Sequence, residues 1–307
     1  MRTEDDSWDI VSSVGATALG VAALRAGESR RADALFHDPY AELLVSAVGS
    51  PSWTRLSQGG IGGLDPATVR SYGPLGDLLV ARTCYFDDYL AAAAAAGIRQ
   101  IVIVAAGLDA RAYRLDWPTG TTVFELDQPK VLEFKASAFD AHDVKPAVER
   151  REVPVDLRED WPAALRDKGF DQAVPTAWLA EGLLRYLPAD AQDRLLTHIA
   201  ALSAPGSRVA INMTPGDQTL TMRQQEDSRD RMLAALDIDL DVDSLWYPSE
   251  GRSDPVDWFD QQGWTAVRAD PATVLTERGR DVPDEVAAEM RTHLLMTAIR
   301  PGGDSTP

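Results

Sequence analysis

The stretch Ile101–Arg111, which reads IVIVAAGLDAR, decides the fold class. Its first half is a continuous apolar run, which is typical of a strand covered on both faces of a sheet. Gly107 and Asp109 then predict a tight turn that leads into a helix. Nucleotide-binding α/β proteins hold their ligand at such a turn. This turn, however, carries one glycine, whereas a loop that cradles a diphosphate usually carries three.

The composition narrows the class of partner. The chain has 307 residues, and its 48 acidic residues against 30 Lys and Arg give a net charge of −18. Such a field repels nucleic acid and anionic lipid, so we expect neither as a partner. Cys84 is the single cysteine, and the four histidines are scattered, so we expect no disulfide and no metal site. The N-terminus shows no apolar signal segment, which predicts a cytoplasmic protein.

Seven apolar segments predict seven strands, separated mostly by helical segments. This alternation indicates a doubly wound, mostly parallel seven-stranded sheet of the α/β class, with an antiparallel pair possible at its end. The predicted strands are Gln100–Ala105, Thr121–Leu126, Arg150–Val155, Gln172–Leu179, Ser207–Met213, Thr265–Ala269 and Leu294–Ile299. The predicted helices between them are Pro129–Asp140, Trp161–Lys168 and Ala189–Leu202.

The rest of the chain forms additions to this core. Residues 1–97 have helical patterns and predict a helical N-terminal cap, and residues 98–213 and 255–300 form the core of a single domain. Residues 214–254 interrupt the alternation with a charged helix and an acidic loop that holds Trp246 and Tyr247. A connection of this length is unusual in a compact domain, so we interpret it as an inserted lid.

Acidic side chains stand at the ends of the first four predicted strands. They are Asp109, Glu125 with Asp127, Asp156, and Glu181. Because the carboxyl ends of parallel strands meet at one edge, we expect these side chains to line one crevice. A carboxylate at the end of the second strand can accept two hydrogen bonds from a ribose. A single acidic residue after a strand is often only a helix cap. The inference of a binding site therefore rests on the four acidic strand ends together.

These carboxylates also indicate the ligand. A diphosphate needs free N–H groups at a helix N-terminus without acidic neighbours, and Asp109 lies in this turn. An adenosine joined to a cationic group suits an acidic crevice better. S-adenosylmethionine, with its sulfonium and ammonium groups, is therefore the expected cofactor.

Six blocks of the chain resemble, in order, the leucine carboxyl methyltransferase-like family. They are LFHDPYAELL, ARTCYFDDYL, VIVAAGLDARAYRL, FELDQPKVLEFK, PVDLRED and AEGLLRYL. The family consists of S-adenosylmethionine-dependent methyltransferases, and the resemblance runs from about Asp5 to Arg300. It implies the Rossmann-like fold of class I methyltransferases and transfer of a methyl group.

The resemblance also implies roles for single residues at the methionine end of the cofactor. Arg82 matches the arginine that clamps the methionine carboxylate, and Gly107 the glycine that lets the backbone approach the methionine. Glu181 matches the residue near the methionine ammonium group. Relatives also use a basic residue of the first helix, for which the candidates are Arg25, Arg30 and Arg31.

At the adenosine end, Asp127 resembles the ribose ligand, and Asp156 and Leu157 resemble the adenine site. Relatives often show more glycines in the first turn, where this chain has Ala105 and Ala106. Alanine holds a negative φ readily, so the turn fits the cofactor if Gly107 alone needs the unusual backbone.

We expect the methyl acceptor to be a small molecule, because the aromatic residues of the insertion favour a closed pocket. Arg185, Tyr186 and Tyr247, with Trp246, are the candidates for its pocket. A carboxylate acceptor is ionised at neutral pH and needs no general base. The lack of a recognisable catalytic triad in the sequence therefore does not argue against an enzyme. The alternatives are a non-catalytic protein that binds S-adenosylmethionine and a nicotinamide-dependent oxidoreductase. The sequence does not determine the oligomeric state.

Overall fold

The computed structural model describes residue 10 and residues 13–60, 65–213 and 220–302. Its seven strands form one sheet in the order β3-β2-β1-β4-β5-β7-β6. They are β1 Gln100–Val104, β2 Thr122–Asp127, β3 Glu149–Pro154, β4 Thr176–Ala180, β5 Arg208–Met213, β6 Thr265–Ala269 and β7 Leu294–Ile299. The first five strands are parallel, and β7 runs antiparallel to both β5 and β6. The predicted Rossmann-like, mostly parallel sheet is confirmed.

Twelve α-helices are assigned in the described ranges. The four N-terminal ones are α1 Ser13–Ser29, α2 Ala41–Ser46, α3 Pro51–Ser57 and α4 Pro66–Ala95. The core helices are α5 Arg111–Arg114, α6 Pro129–Asp140, α7 Trp161–Asp167 and α8 Ala189–Ala201. After β5 come α9 Leu220–Ala235, α10 Pro255–Gln261, α11 Pro271–Thr276 and α12 Asp284–Met290.

The strands are covered on both faces, as their apolar runs predict. Along β1, Ile101 and Ile103 pack into one cluster with the N-terminal helices. Val102 and Val104 pack into a second cluster with α7, α8 and α10. Alternate residues of one strand therefore serve two cores, because successive side chains point to opposite faces. The rigid sheet between them fixes the positions of its strand ends.

One predicted strand begins too early. We expected a strand from Gln172, but β4 begins at Thr176. The Asp171 carboxylate accepts a hydrogen bond from the N–H of Ala173, 2.8 Å away, and Pro175 follows. An acidic residue that binds the backbone two positions on forms a turn, which a following proline favours.

The insertion packs against the N-terminal helices. Helix α9 contacts α4, and several of its apolar side chains and those of the loop after it are buried in the same core as α1. These side chains are Met232, Leu233, Leu236, Ile238 and Val242. Residues 214–219 of the insertion lie outside the described residues, as do residues 1–9, 11 and 12 of the cap. The lid function stays a prediction.

No helix in the described parts of the chain has both the length and the apolar character that a membrane span requires.

Candidate active site

A cavity of about 930 Å³ lies at the carboxyl ends of β1, β2 and β4. The order of the sheet reverses between β1 and β4, and open α/β sheets bind ligands at that point. Helix α1 lines the cavity through Val14, Thr17, Ala18, Val21 and Arg25. All six residues expected at the cofactor lie at this cavity, namely Arg82, Gly107, Asp127, Asp156, Leu157 and Glu181.

The turn after β1 needs the left-handed backbone at two positions. Gly107 has a φ of 48°, and Ala105 has a φ of 54°. The condition that Gly107 alone needs the unusual backbone is therefore wrong. A side chain at Gly107 would also meet α1, since its Cβ would lie 3.4 Å from the Cβ of Ala18. The positive φ therefore favours glycine at Gly107 and strains the backbone at Ala105.

Asp127 joins the end of β2 to this turn. Its carboxylate accepts hydrogen bonds from the N–H groups of Gly107 at 2.6 Å and Gln128 at 2.7 Å. Burial raises the pKa of Asp127 above its ordinary value, although both N–H groups oppose this shift. Two donors leave a carboxylate further lone pairs, so Asp127 can still accept hydrogen bonds from a ligand in the cavity.

Asp156 and Leu157 lie at the cavity after β3. The Asp156 carboxylate accepts from Arg158 NH2 at 2.6 Å and from the Gln128 side-chain amide at 2.8 Å. Burial opposes ionisation of Asp156, but its hydrogen bonds to Arg158 outweigh it and the pKa is lowered. The carboxylate is 18% exposed and Leu157 is half-buried. This wall of the cavity therefore combines an ionised acceptor with an apolar surface.

Glu181 lies between two arginines. Arg82 Nε donates to one of its oxygens at 2.8 Å, and Arg111 NH1 donates to the other at 2.7 Å. Burial opposes ionisation of Glu181, but Arg111 and Arg82 outweigh it and lower its pKa. The structure thus pairs two residues for which the family resemblance implies separate roles. Within the described residues, the terminal nitrogens of Arg82 donate no hydrogen bond and lie beside Gly182.

Arg111 is the site residue that the sequence analysis missed. Its side chain is 3% exposed and forms ion pairs with Asp87 at 2.7 Å, with Glu181 at 2.7 Å and with Asp109. Asp87 also pairs with Arg114 at 2.7 Å. The block GLDARAYRL contains this arginine, but a basic residue next to a strand end gives no sign that it will be buried. Two of its partners, Asp87 on α4 and Glu181 after β4, are far away in the sequence.

Only one of the three arginines proposed in the first helix region reaches the cavity. Arg25 lines it, donating to Asp38 at 2.8 Å and to the Leu108 carbonyl at 2.7 Å. Arg30 pairs with Glu42 and Arg31 with Asp33, all at exposed positions. The cavity therefore selects Arg25 among the candidates.

The acceptor candidates fall into two groups. Tyr186 and Tyr247 line the cavity, whereas Arg185 and Trp246 stand next to it. The Arg185 guanidinium carbon lies 4.1 Å from the centroid of the Trp246 ring. The Tyr247 N–H donates to the Arg185 carbonyl at 2.9 Å, which ties the insertion to the segment after β4.

The described residues include no group of three or more His, Cys, Asp or Glu side chains arranged to hold a metal ion.

Solved structures resemble this fold. A DUF574 family protein from Streptomyces avermitilis matches with a TM-score of 0.51 and 15% identity, over 85% of this chain and 96% of that protein. A protein from Thermobifida fusca titled "putative methyltransferase" matches with a TM-score of 0.50 and 16% identity, over 85% and 94%. At this identity the likeness establishes the fold.

Sequence relatives establish the family. A mycobacterial protein from Mycobacteroides abscessus is 53% identical over 93% of this chain and 95% of its own length. One from Mycolicibacterium smegmatis is 48% identical over 99% of this chain and 98% of its own length. Both carry the name "Putative S-adenosyl-L-methionine-dependent methyltransferase". A sequence profile of leucine carboxyl methyltransferases matches residues 18–200. The chain therefore belongs to the leucine carboxyl methyltransferase family of S-adenosylmethionine-dependent methyltransferases.

Proposed function

We propose that this protein transfers the methyl group of S-adenosylmethionine to a carboxylate of a small organic acid. The observation that carries the proposal is the series of acidic side chains along one cavity at neighbouring strand ends. Asp127 ends β2, Asp156 and Glu181 follow β3 and β4, and all three line the cavity. Its volume of about 930 Å³ lies within the range of pockets for small molecules and cofactors.

The cavity residues fit both ends of the cofactor. At the adenosine end, Asp127 would accept hydrogen bonds from the ribose, and Asp156 with Leu157 would contact the adenine. At the methionine end, the terminal nitrogens of Arg82 bind the carboxylate, for which a guanidinium fork is well suited. Glu181 lies beside the ammonium group. Gly107 lines the cavity and has no side chain, so the backbone of the turn would be able to approach the methionine.

When bound, S-adenosylmethionine would supply a methyl group on a positively charged sulfur, whose transfer to an ionised oxygen leaves neutral S-adenosylhomocysteine. The protein's part is to align the acceptor and exclude water. Helix α1 covers the cavity, and Tyr186 and Tyr247 line it. A carboxylate acceptor carries no proton to remove, so the reaction needs no base from these side chains.

Two other functions remain to be distinguished. A non-catalytic protein would keep the cofactor site and release no S-adenosylhomocysteine. A nicotinamide-dependent oxidoreductase disagrees with the family and with the acidic turn, since Asp109 lies where a diphosphate needs free N–H groups.

The test supplies the protein with S-adenosylmethionine bearing a deuterated methyl group and pools of small carboxylic acids. We expect S-adenosylhomocysteine to form together with a deuterated methyl ester that alkali hydrolyses, identified by mass spectrometry. Arg82→Met should bind the cofactor more weakly and turn over more slowly. A labelled product that resists alkali would contradict carboxylate methylation. Cofactor binding without S-adenosylhomocysteine release from any pool would favour the non-catalytic alternative.

A further inference from the structure

We propose that Arg185, stacked on Trp246, binds an anionic group of the acceptor that is separate from the atom receiving the methyl group. This inference rests on the proposed methyltransferase function, and it assigns the acceptor a class: an organic acid whose charged end is anchored beside the cavity. Three observations carry it, namely two buried guanidinium nitrogens without a hydrogen-bond partner, the position of Arg185 and the local charge.

The Arg185 guanidinium lacks the partners that other arginines here possess. Its Nε and NH1 atoms are buried and have no hydrogen-bond partner in the described structure. Nearby, Arg229 pairs with Asp230 at 2.8 Å and with Asp243 at 3.0 Å. Arg252 donates to the Leu184 carbonyl at 2.9 Å. A buried donor without a partner costs free energy, so an anion brought by a ligand would not compete with a protein acceptor for these two nitrogens.

The position connects Arg185 to the cavity. It lies four residues after Glu181 and directly before Tyr186, which lines the cavity. Trp246 likewise stands directly before Tyr247, a second lining residue, and the Tyr247 N–H donates to the Arg185 carbonyl at 2.9 Å. The two dipeptides therefore lie side by side, with the tyrosines at the cavity and the stacked pair next to it.

The local charge favours an anion, although the protein as a whole is acidic. Burial lowers the pKa of Arg185, and the nearby acids Glu226 and Asp243 do not fully offset this effect. Burial followed by the charges of Arg82 and Arg185 also lowers the pKa of His293 to about 4. An additional negative charge would relieve both effects, because it stabilises a buried cation.

The chemistry separates the anchor from the reacting oxygen. A guanidinium that neutralises a carboxylate withdraws the electron density that a nucleophile needs. Arg185 also stands next to the cavity and does not line it, whereas the reacting oxygen must lie within it. Since Nε and NH1 of Arg185 are buried in this structure, the residues that cover these two nitrogens must move for the anion to pair with them.

The test is calorimetric titration of the full chain saturated with S-adenosylhomocysteine. The probes are benzoate, phenylacetate and hexanoate, each compared with its neutral amide. We expect the wild type to bind at least one acid at least tenfold more tightly than its amide. Arg185→Gln should abolish this preference, while Arg185→Lys should retain part of it. The affinity for S-adenosylhomocysteine should change less than twofold in both variants.

The control is Arg231→Gln, which alters an exposed arginine of α9 that donates to Ser228 at 3.1 Å. It should retain the preference for acids. Equal binding of acids and amides, no binding of any probe, or an Arg185→Gln protein that still prefers acids would overturn the anchor. If the wild type does not bind S-adenosylhomocysteine, that result would instead contradict the proposed function. Thermal melting of Arg185→Lys and Arg185→Gln verifies that both variants are folded.

Discussion

Replacing Arg111 with methionine removes a buried cation that Asp87, Asp109 and Glu181 share. Methionine retains much of the apolar stem, so the main loss is the charge. Glu181 keeps Arg82 as a partner at 2.8 Å, whereas Asp109 loses its paired guanidinium. Breaking a buried ion pair by removing one partner typically costs about 3–5 kcal/mol. We expect the free energy of unfolding to fall by about that amount, a large part of the ~5–15 kcal/mol of a domain.

The pH dependence identifies the cause of this loss. Ion pairing outweighs burial and lowers the pKa of Asp87, Asp109 and Glu181. Their stabilising effect is therefore present above the unfolded-state pKa of about 4 and is lost as the pH falls through the lower folded-state values. Without Arg111 their pKa values rise, so the difference between variant and wild type should be largest near neutral pH and shrink on acidification.

Urea unfolding followed by circular dichroism at several pH values measures this difference. The control is Arg194→Met, which removes an arginine whose partner Asp190 is exposed; it should change stability little, because solvent screens such pairs. An Arg111→Met protein as stable as the wild type would refute the reasoning. A loss that does not vary with pH would refute the electrostatic explanation.

Three further outcomes follow from the turn and the carboxylates. Ala105→Gly should leave the free energy of unfolding unchanged or raise it by up to about 1 kcal/mol in urea unfolding, because relief of the left-handed φ exceeds the added entropy of the unfolded chain; a loss above about 1 kcal/mol would contradict the strain. Gly107→Val should weaken S-adenosylhomocysteine binding at least tenfold in calorimetry, because a β-branched side chain does not fit the positive φ of Gly107 and forces the turn to change; unchanged affinity would count against a close approach of the turn to the ligand. Burial raises the pKa of Asp127, so S-adenosylhomocysteine affinity should hold above that pKa and decline as the pH falls through it, whereas Asp127→Asn should give a flatter profile on the acidic side; identical profiles would exclude Asp127 as the titrating group.

The sequence predicts the elements with strong local signals. Helix α6 has the predicted bounds, Pro129–Asp140, because a proline marks its start and apolar residues recur along one face. The acidic residues at the strand ends are also predicted from their neighbours, since each of them comes directly after apolar residues. The start of β4 is not predicted correctly, because the turn at Asp171 depends on a side chain that accepts a hydrogen bond from the backbone two residues on.

The contacts within the site depend on residues that are distant in the sequence. Arg111 bonds to Asp87, 24 residues away, and to Glu181, 70 residues away. Arg185 stacks on Trp246, which lies in the insertion and is also distant in the sequence. The positive φ of Ala105 is likewise set by the packing of the turn, against the preference of alanine itself. Sequence patterns therefore identify which residues surround the cavity, while pairing among their charges requires the fold.

Calorimetric titration with S-adenosylmethionine and S-adenosylhomocysteine, on wild type and Asp127→Ala, tests the central claim most directly. We predict that both ligands bind the wild type and that Asp127→Ala weakens them by about 1–3 kcal/mol, the cost of losing a charged hydrogen-bond acceptor. Circular dichroism verifies that the variant is folded. If neither ligand binds the wild type but a nicotinamide dinucleotide binds clearly, the result would contradict the claim that this cavity holds S-adenosylmethionine.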